Sequence, residues 1–264
     1  MSELQAAVND GLIMTWRNLK RVPRIPELAI FAILQSIMFV VLFAYVFGGA
    51  IPLPGGGSYR EYLMPGIYIQ TLGFASITTA IAITDDMAKG LIDRFRSLPM
   101  ARSAVLSGRT VSDVIYNAGI LVVLMLSGLA VGWRVHGSFG EFLLAVALML
   151  FFILAMAWIG VLIGLLVPSV EVAQQLGFLI LFPLTFVSNA FVPTSTLPTW
   201  LRPVAEWNPF SALTAATRDL FGNPNPFTSG FPGDHPFLLS ILWTVALLVA
   251  FAPLAVWKYR SIDR

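Results

Sequence analysis

The chain has 264 residues, of which 57% are hydrophobic and only 11% charged, with a formal net charge of +2 and no cysteine. Soluble domains carry about 25% charged residues, and here the apolar residues fall in long blocks, so an ordinary soluble globule is excluded and the bilayer is the expected solvent. The missing cysteines also exclude disulfides, thiolate catalysis and cysteine-ligated metals.

The first element is predicted over residues 1–26. Leu4, Val8, Leu12, Trp16 and Leu19 fall within an arc of about 120° on a helical wheel, and Arg17, Lys20, Arg21 and Arg24 gather toward its end. This pattern suits an amphipathic helix lying in the membrane interface with its basic residues on anionic headgroups, or else a solvated N-terminal helix. The first 30 residues contain no short apolar core followed by a small-residue cleavage site, so no signal peptide is expected.

Six uncharged runs follow, at 28–50, 62–84, 114–133, 142–170, 172–201 and 236–257. A helix needs about 20 apolar residues to cross about 30 Å of hydrocarbon, and each run is long enough. The fifth contains Pro193 and Pro198, so its helix is expected to end near Phe191. Pro65, Pro168 and Pro183 are expected to kink or bound helices. With the N-terminus in the cytoplasm, twelve of the sixteen Lys and Arg residues fall inside, in the segments 17–24, 89–109 and 258–264. Only Arg60, Arg134, Arg202 and Arg218 fall outside. That asymmetry predicts six crossings with both termini cytoplasmic.

None of the six runs carries an ionisable residue in its interior, which disfavours ion-coupled transport. Asp113 and Glu141 are expected at helix ends, while His136 and His235 read as solvated loop residues without a third metal ligand. Catalysis would need an intramembrane His–Glu or paired-Asp constellation, and none occurs. An energy-independent channel stays open as a reading. The three lysines, Lys20, Lys89 and Lys258, follow Leu19, Ala88 and Trp257, so no G-x-x-x-x-G-K-[ST] phosphate loop exists. Any ATP-driven work must draw its energy from a partner.

Two stretches stand out. DDMAKGLIDRFRSLPMAR, residues 85–102, holds seven charges in eighteen residues: Asp85, Asp86, Lys89, Asp93, Arg94, Arg96 and Arg102. Met87, Leu91, Phe95 and Leu98 recur at helical spacing, acidic residues open the segment and Pro99 stops it. The stretch predicts a short amphipathic helix that lies on the membrane or enters a groove on a cytoplasmic protein, with a solvated connecting loop as the alternative. The second stretch, SNAFVPTSTLPTWLRPVAEWNPF, residues 188–210, is divided by Pro193, Pro198, Pro203 and Pro209 into pieces expected to be short. Trp200 and Trp207 suit a membrane–water boundary.

These two stretches, GLIDRFRSLPMARSAVLSGR (90–109) in the first and the Phe-Val-Pro, Leu-Pro-x-Trp-Leu and Asn-Pro signature in the second, resemble ABC-2 type transporter permeases. The nearest likeness is to the daunorubicin/doxorubicin-resistance branch. The resemblance covers the whole chain and implies a single all-α polytopic transmembrane domain, 1–264. It has an interfacial N-terminal helix, six transmembrane helices, a coupling helix at 85–102 and re-entrant outer helices within an extracellular segment at 192–235. It implies a non-catalytic exporter subunit for amphipathic drugs in a bacterial plasma membrane, paired with a second copy, two ABC ATPase subunits and membrane lipids, and with no nucleic acid. ATP and Mg would bind the ATPase, leaving no cofactor in this chain. The same architecture also fits export of a glycolipid or lipid-linked polysaccharide. By the same resemblance, Met87, Leu91, Asp93, Arg94, Phe95 and Arg96 would meet the ATPase, with a smaller contact at Ser169 and Glu171. Gln70, Thr71, Phe74 and Thr78 of the second span and Phe178, Phe182, Phe186 and Asn189 of the fifth would line the substrate pathway. Pro193, Pro198, Trp200, Asn208 and Pro209 would form the outer gate.

Overall fold

The computed structural model describes residues 3–21, 26–47, 53, 56–91, 102–226 and 230–261. Every regular element among them is helical. In chain order these are α1 (Glu3–Arg21), α2 (Pro26–Leu42, continued by a π-helical turn Phe43–Phe47), α3 (Tyr59–Ala88), α4 (Arg102–Ala130) and α5 (Phe139–Leu166). After them come α6 (Val170–Phe186), α7 (Arg202–Glu206), α8 (Pro209–Phe221), α9 (Phe231–Asp234) and α10 (Pro236–Ser261), with a 3₁₀ turn at Thr194–Thr196. Four of the described helices, α3, α4, α5 and α10, are long and apolar enough to cross a bilayer. α2 and α6 are apolar but shorter. At about 1.5 Å per residue, the 17 residues of α6 reach about 25 Å, just short of the hydrocarbon thickness.

α3 is the central post, packed against α5 and α6 and touching α4 and α8. Its approach to α5 depends on Gly160 and Gly164, where an added Cβ would overlap the carbonyls of Ser76 and Ala80. Thr84 Oγ1 uses that closeness to donate to the Gly164 carbonyl at 3.1 Å. The bundle has two ends. At one, which we call the loop end, Ile83, Leu106, Val161, Leu165, Ala255 and Tyr259 gather from α3, α4, α5 and α10 into a separate apolar cluster. At the other, the cap end, the short pieces between α6 and α10 fold over the start of α3.

α1 lies along the first part of α4, with Met14 and Thr15 buried and Thr15 Oγ1 donating to the Gly108 carbonyl at 3.2 Å. Leu12, Ile13 and Trp16 on its other face are about 60% exposed, at 60%, 62% and 62%, and Lys20 Nζ sits 5.1 Å over the Trp16 ring. The helix therefore has one face packed on α4 and one exposed apolar face, and the packed one left no mark in the apolar stripe.

Four expectations change. First, α4 starts at Arg102 rather than near residue 114, so Arg109 and Asp113 lie within a helix instead of at its end. Asp113 is buried, and its Oδ2 accepts from Thr79 Oγ1 of α3 at 2.7 Å and from Arg109 Nε at 3.1 Å. Those two donors are what let a carboxylate sit inside an apolar bundle. Second, residues 85–102 do not form one helix. α3 runs through Asp85, Asp86 and Met87 to Ala88, the chain turns at Lys89 and Gly90 (φ +64°), and helical conformation resumes at Leu91. Asp93, Arg94, Phe95 and Arg96 lie outside the described residues. Third, α6 ends at Phe186 rather than near Phe191. Fourth, the pieces after Pro193 are not all short, because α8 is a 13-residue helix buried at every position from Pro209 to Arg218.

Candidate functional site

The cap is built around the end of α6. Thr185 donates to the Phe182 carbonyl at 3.0 Å and Ser188 donates to the Thr185 carbonyl, diverting acceptors a longer helix would use. Asn208 completes the stop. Its Nδ2 donates to the carbonyls of Leu184 at 2.7 Å and Val187 at 2.6 Å, while its Oδ1 accepts from Phe210 N at 2.8 Å. One amide thus closes the C-terminus of α6 and caps the N-terminus of α8. Pro209 occupies the first position of α8, where its missing N–H costs nothing. This is the physical content of the Asn-Pro signature.

Beyond α6 the chain crosses the top of α3 as a non-helical strap, residues 187–193. Tyr62 Oη donates to the Asn189 carbonyl at 2.6 Å and Tyr59 Oη to the Phe191 carbonyl at 2.8 Å. Arg218, reaching from α8, donates through Nη2 to the carbonyls of Asn189 and Ala190 at 2.9 and 3.1 Å and through Nε to the Tyr62 carbonyl at 2.8 Å. Its guanidinium also lies 3.5 Å above the Tyr62 ring. Sequence reading put Arg218 among the outer loop cations, yet it is 0% exposed. The signal that could have revealed it is the run of small residues in SALTAATR, which lets α8 insert among α3, α5 and α10. Burial pushes the neighbouring Asp219 carboxyl above its ordinary range, against opposing pulls from Asn225 and Arg218.

Of the expected gate residues, Asn208 and Pro209 anchor α8, and Pro193 is buried beside the 3₁₀ turn. Pro198 is exposed and Trp200 is 74% exposed on the outside of the cap. The α4–α5 connection braces the cap from the side. Trp133 Nε1 donates to Asn223 Oδ1 at 2.7 Å, and the backbone N–H groups of His136 and Gly137 donate to the Phe221 carbonyl. His136 Nε2 lies 2.9 Å from Glu61 Oε1, so this histidine is partnered rather than simply solvated.

The expected pathway residues divide into two sets. Phe178, Phe182 and Phe186 lie on an outward face of α6, each between 43% and 51% exposed. Phe178 and Phe182 border an open groove of about 630 Å³ with Glu171, Gln174, Gln175 and Leu179, of which the two glutamines were not anticipated. Above the groove the rings of Phe182, Phe186, Phe191 and Phe43 stack in succession, with centroids 4.3, 5.1 and 5.1 Å apart. Phe74 of α3 joins the same face, 5.5 Å from Phe178, while Thr71 is half-buried and Thr78 exposed. Gln70 and Asn189 are turned inward. Gln70 is buried between α3 and α6, its Nε2 3.5 Å from Thr185 Oγ1, because an amide at that interface needs a partner from the facing helix. The Asn189 side chain is buried under the strap.

At the loop end, Ser169 caps α6 by accepting from Val172 N at 3.4 Å, and Glu171 is exposed in the first turn. Met87 packs partly against the loop-end cluster, so some of its apolar surface is already taken by the bundle. Among the described residues, no group of three or more His, Asp and Glu side chains is placed to hold a metal ion.

Long apolar helices packed by glycine contacts, with one end sealed by a strap and a buried helix, define a multi-pass helical membrane protein. The profile of the ABC-2 type transporter family matches residues 11–221, and the chain belongs to that family. It is 30% identical to the daunorubicin resistance ABC transporter permease protein DrrB1 of Streptomyces coeruleorubidus, over 97% of this chain and 87% of that one. It is 25% identical to the probable doxorubicin resistance ABC transporter permease protein DrrC of Mycobacterium tuberculosis, over 96% and 90%. A putative transport permease, ycf38, of Cyanophora paradoxa is 22% identical over 97% and 89%.

Proposed function

We propose that the chain is the membrane-spanning permease subunit of an ATP-driven exporter of amphipathic drugs, energised by a separate ABC ATPase. The observation that carries this reading is the end-to-end similarity to a daunorubicin resistance permease. The sequence adds that no phosphate loop exists to bind nucleotide here. In this reading the chain crosses the plasma membrane six times, with α2 and α6 as the shorter crossings and both termini cytoplasmic. The loop end faces the ATPase, and the cap faces outward.

Two permease copies would meet along α6, closing the open groove into a pathway walled by Phe178, Phe182 and Phe186 with glutamine and threonine among them. Aromatic walls carrying a few neutral polar groups suit a large amphipathic compound better than a small ion. Two ATPase subunits would engage the loop around Leu91–Arg96 and the turn at Ser169–Glu171. ATP, with its Mg ion, would be bound and hydrolysed on the ATPase subunits, and the permease would respond through a difference in binding free energy between its two states.

Co-expression with the ATPase encoded nearby should give a complex of fixed stoichiometry that survives purification. In a deletion strain, intracellular accumulation of daunorubicin should rise. If accumulation stays normal while a glycolipid disappears from the outer leaflet, the drug reading is wrong.

A further inference from the structure

We infer that Arg218, Tyr59 and Tyr62 form the latch that holds the strap over the exit of the pathway, and that export requires this latch to yield. The inference rests on the proposed orientation, with the cap outward.

The strap's carbonyls at 189, 190 and 191 are all engaged by side chains from α3 and α8, through two tyrosine hydroxyls and one guanidinium nitrogen. A buried non-helical backbone needs such donors to satisfy its carbonyls. The same strap continues the α6 face that carries Phe182 and Phe186, with Phe191 stacked 5.1 Å from Phe186. Any movement of α6 that opens the pathway therefore pulls on the carbonyls that the latch holds.

The latch is also incompletely satisfied. Both side-chain polar atoms of Asn189 and Nη1 of Arg218 are buried without a hydrogen-bond partner. Buried polar groups left unpaired raise the free energy of the state that contains them. The closed cap thus combines strong bonds to the backbone with an uncompensated cost beside them, which suits an element that must both hold and release.

The cysteine-free chain allows a direct test. Thr194, 1% exposed with a hydroxyl that makes no hydrogen bond, is replaced in Thr194→Cys without loss of a bond. Its labelling by a membrane-impermeant maleimide is followed in right-side-out vesicles. With the latch intact, labelling should be slow. Tyr59→Phe combined with Tyr62→Phe keeps both rings and removes only the two hydroxyls, and labelling should accelerate about ten- to thirty-fold, the factor expected for two hydrogen bonds. Arg218→Lys keeps the charge but loses the Nε–Nη2 fork that joins the Tyr62 carbonyl of α3 to the strap, and should accelerate labelling several-fold. Labelling within twofold of the parent in both variants, or fast labelling in the parent, would overturn the latch. Faster labelling without drug export keeps the latch and rejects the substrate, whereas drug export with unchanged labelling does the reverse.

Discussion

Asn208 shows how much one side chain decides in the cap. It satisfies two carbonyls at the end of α6 and one N–H at the start of α8. Asn208→Ala should lower stability by about 3 kcal/mol, the loss of a helix cap plus two buried acceptors left unpaired. Asn208→Asp keeps the cap oxygen and loses the donor, so its thermal midpoint in detergent should fall between alanine and the parent. Equal midpoints for Asn208→Ala and the parent would show that the α6 carbonyls find other partners. The Asn-Pro pair was legible as a motif, but its double role was not, because the carbonyls it closes lie 24 and 21 residues away in sequence. The burial of Arg218 was missed for a related reason. Counting basic residues by side assigns a cation to a loop, and only the three-dimensional gathering of Tyr62, Asn189 and Ala190 shows it to be inside. Gln70 was expected to line the pathway, yet it is buried between α3 and α6 with its amide 3.5 Å from Thr185 Oγ1.

Helix positions were largely evident from the apolar runs, whereas helix ends were not. Charges ended each run on paper, but α4 continues through Arg109 and Asp113 because these two residues neutralise one another and Thr79 supplies a further bond. This cluster is the polar tie between α3 and α4, the two helices that flank the segment proposed to meet the ATPase. Arg109→Ala would leave a buried carboxylate without its cation and should destabilise by about 2–3 kcal/mol. Thr79→Val removes one neutral donor and should cost about 1 kcal/mol. Thermal unfolding of the two variants would check the order, and a larger loss for Thr79→Val would mean that solvent, not Arg109, stabilises Asp113. Prolines misled in the other direction. Pro209 suggested a break, but at the first turn it starts a helix.

Seen whole, the bundle leaves one apolar face uncovered. α3 is the most buried of its four long apolar helices, while α6 turns three phenylalanines and an open groove away from the bundle. A second copy on this face would bury them. Phe178→Cys, the sole thiol in its chain, should therefore form reductant-sensitive dimers in native membranes, while Leu238→Cys on the exposed side of α10 should not. Comparable cross-linking at both positions would place the contact elsewhere. In the proposed reading the energy comes from an ATPase at the other end, since the sequence holds no phosphate loop, and export depends on coupling through the segment that follows α3. The decisive measurement is ATP-dependent uptake of daunorubicin into inside-out vesicles that contain the permease with its ATPase. Uptake should require both chains, and Phe95→Ala should abolish most of it while the permease still folds and inserts. Uptake that persists without the ATPase, or that is untouched by Phe95→Ala, would contradict the account.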